Sequence, residues 1–431
     1  MQRSMWLRRS AAVTALALGL TACAGDGDGE TTDPGTDSST PDSTTTDAMV
    51  ETDGILTIGT ILPNTGDLAV LGPAMTEASK LAVQQINDAG GVLGVPVVLA
   101  EGDSGTNEDI ANATADRLIQ SENVDAVVGA ASSRITLSII DKITGAGIVE
   151  CSPSNTGASL SNYESSEPGF YFRTAPPDNL QGPALANVIA GDGFTKVTII
   201  ALNDEYGQGF AAEVEKGLVA ANIEVSGKVA YDPNGADFAA DVQTAVGSGA
   251  EAYVLIAFPD TGAKILAGML EANVDPTQIF TADGMQGDAV IAQVDPNNPA
   301  VLNGLKGTAP SSQGSEQFAA DFTAFAPEGT PQIFSAHAYD CVNIIALAAA
   351  VAGTDDPSAI AAEMVGVTAG GTKCTTFAEC IALVDAGTDI DYDGASGPGE
   401  WVGAGEPSAG TYDVWQFLDG GIDTIKTVDV A

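Results

Sequence analysis

The chain reads as an α/β protein of two doubly wound, Rossmann-like lobes, and three observations predict it. Short Val/Ile-rich runs alternate with longer Ala-rich segments of helical period along most of its 431 residues. That alternation yields more strands than one open sheet of ordinary width carries, so two sheets are expected. Composition agrees, with 50 glycines for turns and only 17% charged residues.

Taken in order, the first 22 residues hold Arg3, Arg8 and Arg9, an apolar stretch from Ala11 to Leu20, and a small-residue end. This is the pattern of a secretory signal whose apolar core is too short to span a bilayer. Leu20-Thr21-Ala22-Cys23 resembles the lipobox of bacterial lipoproteins, which implies that Cys23 is diacylated and becomes the first mature residue. The other reading is an ordinary cleavage site beside an unrelated cysteine. Arg8-Arg9 also fits a twin-arginine signal, but the residues after Arg9 match that signal poorly. From Ala24 to Asp53 the chain is mostly Gly, Ser, Thr, Pro and Asp, with no Lys or Arg and almost no apolar residue, so it reads as a flexible acidic tether (residues 23–53 with Cys23).

Folding signals begin at Ile55. Ile55 to Leu62 reads as a buried strand, followed by a helix with Met75, Ala78, Ala82 and Ile86 on one face, stopped by Gly90-Gly91. Val97–Ala100 is the second strand, Asn107–Gln120 the second helix and Ala126–Gly129 the third strand. Further strands are expected at 147–149, 170–174, 197–201, 225–230, 252–257 and 279–281, with helices between them.

Two strand ends stand out. Gly129 to Thr136 (GAASSRIT) and Glu150 to Ser159 (ECSPSNTGAS) end apolar runs in small hydroxyl residues, where an open α/β sheet binds its ligands. Ser133, Ser154 and Thr156 therefore read as hydroxyls that converge, with free backbone N–H groups, on a small anion such as a carboxylate. The same residues are also ordinary turn formers.

Six segments in order resemble one family: INDAGGVLG (86–94), VVGAASS (127–133), SPSNTGA (152–158), RTAPPDNLQG (173–182), NDEYGQGF (203–210) and TADGM (281–285). They are similar to type I periplasmic binding proteins, in the branched-chain amino acid and amide-binding branch of ABC importers. That resemblance implies two lobes (54–178 with 311–410, and 179–310 with 411–431) joined by three crossings near Asp178, Pro310 and Gly410. It implies that Ser133, Ser154 and Thr156 hold a ligand α-carboxylate, that Tyr206 closes over the ligand from the second lobe, and that Asp283 neutralises an α-ammonium. Leu71 and Phe258 stand where the family has tyrosines, and Asp283 is one methylene shorter than the usual Glu. The alternatives are an N-cap or turn aspartate for Asp283 and a packed loop aromatic for Tyr206, while Arg134 reads as a solvated helix-start residue outside the site.

Other chemistry is set aside. The formal charge is −43; loss of the signal's three arginines leaves 12 basic residues against 58 acidic ones, or −46. Nucleic acid and anionic membrane surfaces would repel such a chain, and so acidic a surface points to a salty habitat. GQGFAA (207–212) fits a dinucleotide-binding pattern, but Glu224 falls before the next strand rather than at its end. No phosphate-binding G-x-x-x-x-G-K-[ST] and no G-x-S-x-G elbow occurs, and the single histidine, His337, reads as a packed helix residue. No enzyme activity and no cofactor are expected. Asp389 to Glu400 (DIDYDGASGPGE) satisfies a calcium-loop pattern through Asp389, Asp391, Asp393 and Glu400, while Pro398-Gly399 favours a hairpin, as in the family. Four cysteines besides Cys23 allow three pairings. The six-residue spacing of Cys374 and Cys380 suits a local bridge, which leaves Cys151 with Cys341.

The expected protein is thus a lipid-anchored, monomeric solute receptor on the extracytoplasmic face of the cell membrane, which hands an amino acid or amide to an ABC permease. The alternative is an extracellular sensing module for amino acids, amides or small carboxylates.

Overall fold

The computed structural model describes residues 52–161, 163, 169–311, 315–397, 401–403 and 405–431. The signal, Cys23 and the tether as far as Glu51 lie outside these residues, as do Pro398, Gly399 and Glu400 of the acidic loop.

Five parallel strands form the first sheet: β1 (Thr57–Ile61), β2 (Val98–Ala100), β3 (Ala126–Gly129), β4 (Val149–Ser152) and β5 (Tyr171–Arg173), in the order β2-β1-β3-β4-β5. The second sheet begins with β6 (Lys196–Leu202), β7 (Glu224–Tyr231), β8 (Ala252–Ile256), β9 (Ile279–Thr281) and β10 (Lys306–Pro310), all parallel. After two short pairs, β11 (Thr372–Cys374) with β12 (Ile390–Tyr392) and β13 (Trp401–Val402) with β14 (Glu406–Pro407), the chain returns to it. Strands β15 (Gly410–Leu418) and β16 (Gly421–Val430) then add antiparallel edges, giving β16-β15-β10-β9-β8-β6-β7.

Both sheets reverse their winding, between β1 and β3 in the first and between β6 and β8 in the second. A doubly wound sheet opens a crevice at that point, outside the carboxyl ends of its strands. The loops after β1, β3, β6 and β8 are thereby placed to build a site.

The helices follow the sequence periodicity. Helix α1 (Gly72–Asp88) buries Met75, Ala78, Ala82 and Ile86, as its spacing predicts. Helix α2 (Glu108–Gln120) starts one residue later than expected because Asn107 caps it, its side chain accepting the N–H groups of Asp109 and Ile110. Helices α3 (Ser133–Gly145), α4 (Asp178–Gly191) and α5 (Glu205–Ala220) come next. The strand expected at 147–149 is displaced: Gly147, at φ 73°, ends the turn that closes α3, and pairing starts at Val149.

Along the rest of the chain run α6 (Ala239–Val246), α7 (Pro259–Glu271), α8 (Ala289–Val294), α9 (Glu316–Phe325) and α10 (Ser335–Ala352). Helix α10 turns no polar face to water: every residue from Ser335 to Ala349 is buried, with α1, β3 and β4 among its neighbours, and its polar side chains, Ser335, His337, Asp340 and Asn343, are carried inside. A helix without a polar face belongs inside a core, which accounts for its membrane-like length and hydropathy. His337 sits here, neutral: burial lowers its pKa to about 4, and its ring lies edge-on to Phe334. Two disulfides tie this region, Cys151–Cys341 between β4 and α10 and Cys374–Cys380 beside β11, the pairing the spacing anticipated.

Candidate functional site

Loops from both sheets meet in a cleft lined by Leu68, Leu71, Ala131, Ser132, Ser133, Ser154, Tyr206, Phe258, Asp283, Gly284 and Phe334, with an empty volume of about 310 Å³ counting its mouth. Six of the seven residues read from the sequence converge here. From the first sheet come Leu71 after β1, Ser133 after β3 and Ser154 after β4. Tyr206, Phe258 and Asp283 follow β6, β8 and β9 of the second.

The seventh, Thr156, is buried behind the cleft rather than on its wall. Its carbonyl accepts the N–H of Asp178 at 2.8 Å, so the residue is drawn towards the start of α4. Of the three hydroxyl residues, Ser133 and Ser154 line the cleft, joined by Ser132, whose buried Oγ has no hydrogen-bond partner among the described residues. Ser133 lies in the first turn of α3, where unpaired N–H groups and the helix dipole favour an anion. Its Oγ accepts the N–H of Gly157 at 3.2 Å, and the Ser154 hydroxyl donates to the Ala131 carbonyl at 3.2 Å.

The opposing wall is aromatic. Tyr206 stacks between Phe210 and Phe258, with ring centroids 6.0 and 5.4 Å apart. Its hydroxyl donates to Asp283 Oδ1 at 3.3 Å, and Gln181 Nε2 donates to the same oxygen at 2.9 Å. Gln181 also donates to the Thr308 carbonyl at 3.0 Å, fixing Asp283 to β10. Burial raises the Asp283 pKa to about 6, and the two donors hold it below what burial alone would give. Asp178, fully buried nearby, is raised well above the carboxylate range by burial and by the Asp283 charge. Between the walls the site therefore presents donors and a helix start on one side and a buried acid on the other.

A charged clamp holds the hydroxyl loop. Arg173, buried on β5, donates to the carbonyls of Asn155 (3.3 Å) and Gly157 (2.9 Å), and its guanidinium pairs with Glu406. Arg134, absent from the cleft lining, donates to Glu108 at 2.7 Å and to the Thr106 carbonyl at 3.2 Å, and its Nε lies 3.9 Å from Asp204 at the start of α5. Sequence reasoning missed Phe334, Gln181 and Ser132. Phe334 adopts a left-handed φ of 56° before α10, which nothing in its neighbours announces. Gln181 was visible within RTAPPDNLQG, but its bond to Asp283 spans 102 residues.

The acidic loop has another organiser. The Asp340 carboxylate accepts the Tyr392 hydroxyl and the N–H groups of Ala395 and Ser396 at 2.7–2.8 Å. A Cβ on Gly394 would fall 2.4 Å from that carboxylate, so close approach to Asp340 requires this glycine. Asp391 and Asp393 each contact Lys373 Nζ at 3.0 Å, the carbonyl of Asp389 accepts the Thr372 N–H, and Gly394 bridges to Gly397. Among the described residues no group of three or more His, Cys, Asp or Glu side chains is placed to hold a metal.

A family model described as periplasmic binding protein matches residues 55–377. The chain belongs to the periplasmic binding protein family. The chemotactic signal transduction system substrate-binding protein BasB of Halobacterium salinarum is 25% identical over 379 residues, covering 86% of this chain and 88% of that protein. The leucine-, isoleucine-, valine-, threonine- and alanine-binding protein of Pseudomonas aeruginosa is 26% identical over 319 residues, 69% of this chain and 79% of its own. Among solved structures, the branched-chain amino acid transporter substrate-binding protein LivJ of Streptococcus pneumoniae, in complex with isoleucine, superposes with a TM-score of 0.72 at 21% identity. That match covers 87% of this chain and 99% of LivJ. A solute-binding protein of an R. palustris ABC transporter, in complex with benzoate, gives a TM-score of 0.70 at 18% identity, covering 88% and 98%. At these identities the superpositions establish the two-lobed α/β fold.

Proposed function

We propose that this chain is a solute receptor of an ABC importer that binds a small amino acid of branched-chain type between its lobes and delivers it to the permease. The observation that carries this reading is the opposition of Ser133 and Ser154 at a helix start to the single carboxylate lining the cleft, Asp283. A zwitterion needs both, and charge-assisted hydrogen bonds are worth about 1.5–3 kcal/mol each. Leu68, Leu71, Phe258 and Phe334 supply an apolar surface for an aliphatic side chain. The names of the relatives from Pseudomonas aeruginosa and Streptococcus pneumoniae support the same ligand class.

The two walls belong to different sheets, so ligand contacts favour the closed arrangement, with rotation absorbed near Asp178, Pro310 and Gly410. In this reading Cys23 carries the lipid anchor, and the acidic tether keeps the folded part clear of the membrane surface. A thermal-shift screen of the full chain against amino acids, amides and small carboxylates tests the proposal. Stabilisation by leucine, isoleucine or valine is expected, and a response confined to neutral amides or to acids without an amine refutes it.

The Halobacterium salinarum relative, a chemotactic signal transduction protein by name, favours a second reading in which the same ligand is reported to a membrane receptor. Amino acid uptake by cells lacking the chain separates the two: uptake is lost if it serves transport and persists if it serves sensing.

A further inference from the structure

A second hollow lies on the seam between the sheets, away from the Asp283 cleft. Its empty volume is about 1230 Å³ counting its open mouth. Val70, from the loop after β1, and Ile333, from the segment leading into α10, line one side. Asp288 at the start of α8, Asp413 on β15, and Ile422 and Thr424 on β16 line the other.

The two spaces are separated by contact between the lobes. A Cβ built on Gly287 would lie 3.0 Å from Val70 Cγ1, so the chain after Asp283 already packs against the loop after β1 there. Gly287 and Val70 line the second hollow, whereas Leu71 and Gly284 line the first.

The chemistry of the hollow is one-sided. Asp413 is 4% exposed and its Oδ1 has no hydrogen-bond partner, although Ser311 bonds to the same carboxyl. An unpaired buried carboxylate oxygen is costly, and a ligand that donates to it removes the cost. Asp288, held by the N–H of Ile422, adds a second acid at the exposed end. None of the lining side chains among the described residues is basic. Two carboxylates stand here beside the neutral Gln286, Thr330, Gln332 and Thr424 and the apolar Val70, Ile333 and Ile422, and among the described residues no group of three or more His, Cys, Asp or Glu is placed to hold a metal. An organic ammonium needs only acceptors for its N–H groups and tolerates aliphatic walls around its carbon chain.

We propose that this hollow is a second binding site, selective for small organic diammonium ions, in which Asp413 and Asp288, set apart along β15 and β16, each accept hydrogen bonds from a different ammonium end. It acts independently of the amino acid cleft and does not require Asp283.

Isothermal titration of 1,4-diaminobutane into the full chain tests it, run in about 0.5 M NaCl so that diffuse attraction to so acidic a protein is screened within a few ångströms. One saturable site is expected, unchanged in Asp283→Ala and weakened about tenfold or more in both Asp413→Asn and Asp288→Asn. Butyrate, the same carbon chain with a carboxylate, should not bind. Asp288 is exposed, so Asp288→Asn decides the question if Asp413→Asn does not fold. No saturable binding, binding unchanged by the Asp288 and Asp413 substitutions, or displacement of the diamine by calcium overturns the site. Loss in Asp283→Ala also overturns it, by placing the diamine in the first cleft. Leucine titrated into the same preparations reads the amino acid proposal separately, so either can fail alone.

Discussion

Replacing Asp283 by Asn should stabilise the ligand-free protein at neutral and alkaline pH while abolishing strong amino acid binding. The carboxyl is raised from 3.8 to about 6 by burial, so the native state keeps a proton that the unfolded chain releases. Between about pH 4 and 6 the folded form binds more protons, and stability falls as pH rises through that window. Above it the buried charge costs about 3 kcal/mol, from 1.36 kcal/mol per pH unit. Asn keeps the oxygen that accepts from Gln181 and Tyr206 but places an NH₂ where the second oxygen was, which returns part of that cost. A net gain of about 1–2 kcal/mol is therefore expected, or a Tm rise of roughly 1–3 °C in a fold this large. The gain should be present at pH 8 and gone at pH 4. Ligand affinity should move the other way: an ammonium left facing a neutral amide loses about 2–5 kcal/mol, some 30-fold to several thousand-fold. Differential scanning calorimetry at both pH values and titration of leucine measure the two arms. A Tm difference independent of pH, or leucine affinity within threefold of the parent, would refute the argument.

Because Asp283 titrates near 6, affinity for a zwitterionic amino acid should fall about tenfold per pH unit below that value, and titrations at pH 5 and 7 check it. Ser133→Ala should weaken binding by about 1 kcal/mol, roughly fivefold by calorimetry, since main-chain donors at the start of α3 remain. In Gly284→Ala the new methyl would lie 2.7 Å from the Ala257 carbonyl and 3.3 Å from the Tyr206 hydroxyl, so displacement of the aromatic wall should cost more than tenfold in ligand affinity with little loss of helix by circular dichroism. Replacing Cys151 and Cys341 together by Ser opens a loop closed over 190 residues, and chemical denaturation should show a loss of about 4–5 kcal/mol.

The primary structure on its own determined the local order. The period of α1, the Asn107 cap and the alternation of strand and helix are set by side chains within a turn or two of each other, so they can be read from a linear string. The two cleft loops were legible because small hydroxyl residues at strand ends are themselves a local pattern, and Tyr206, Phe258 and Asp283 because family motifs carry them. Tertiary structure decided what depends on long-range contacts. Thr156 is drawn to Asp178, Gln181 reaches Asp283 across 102 residues, and the Gly394 loop packs against Asp340. The return of β15 and β16 to the second sheet, after the 99 residues 311–409, was expected from the family resemblance alone, because no local pattern announces it. Strand pairing depends on which edges lie free once the rest has packed, and the Asp283 pKa depends on the water excluded around it. Neither quantity exists until the chain has folded.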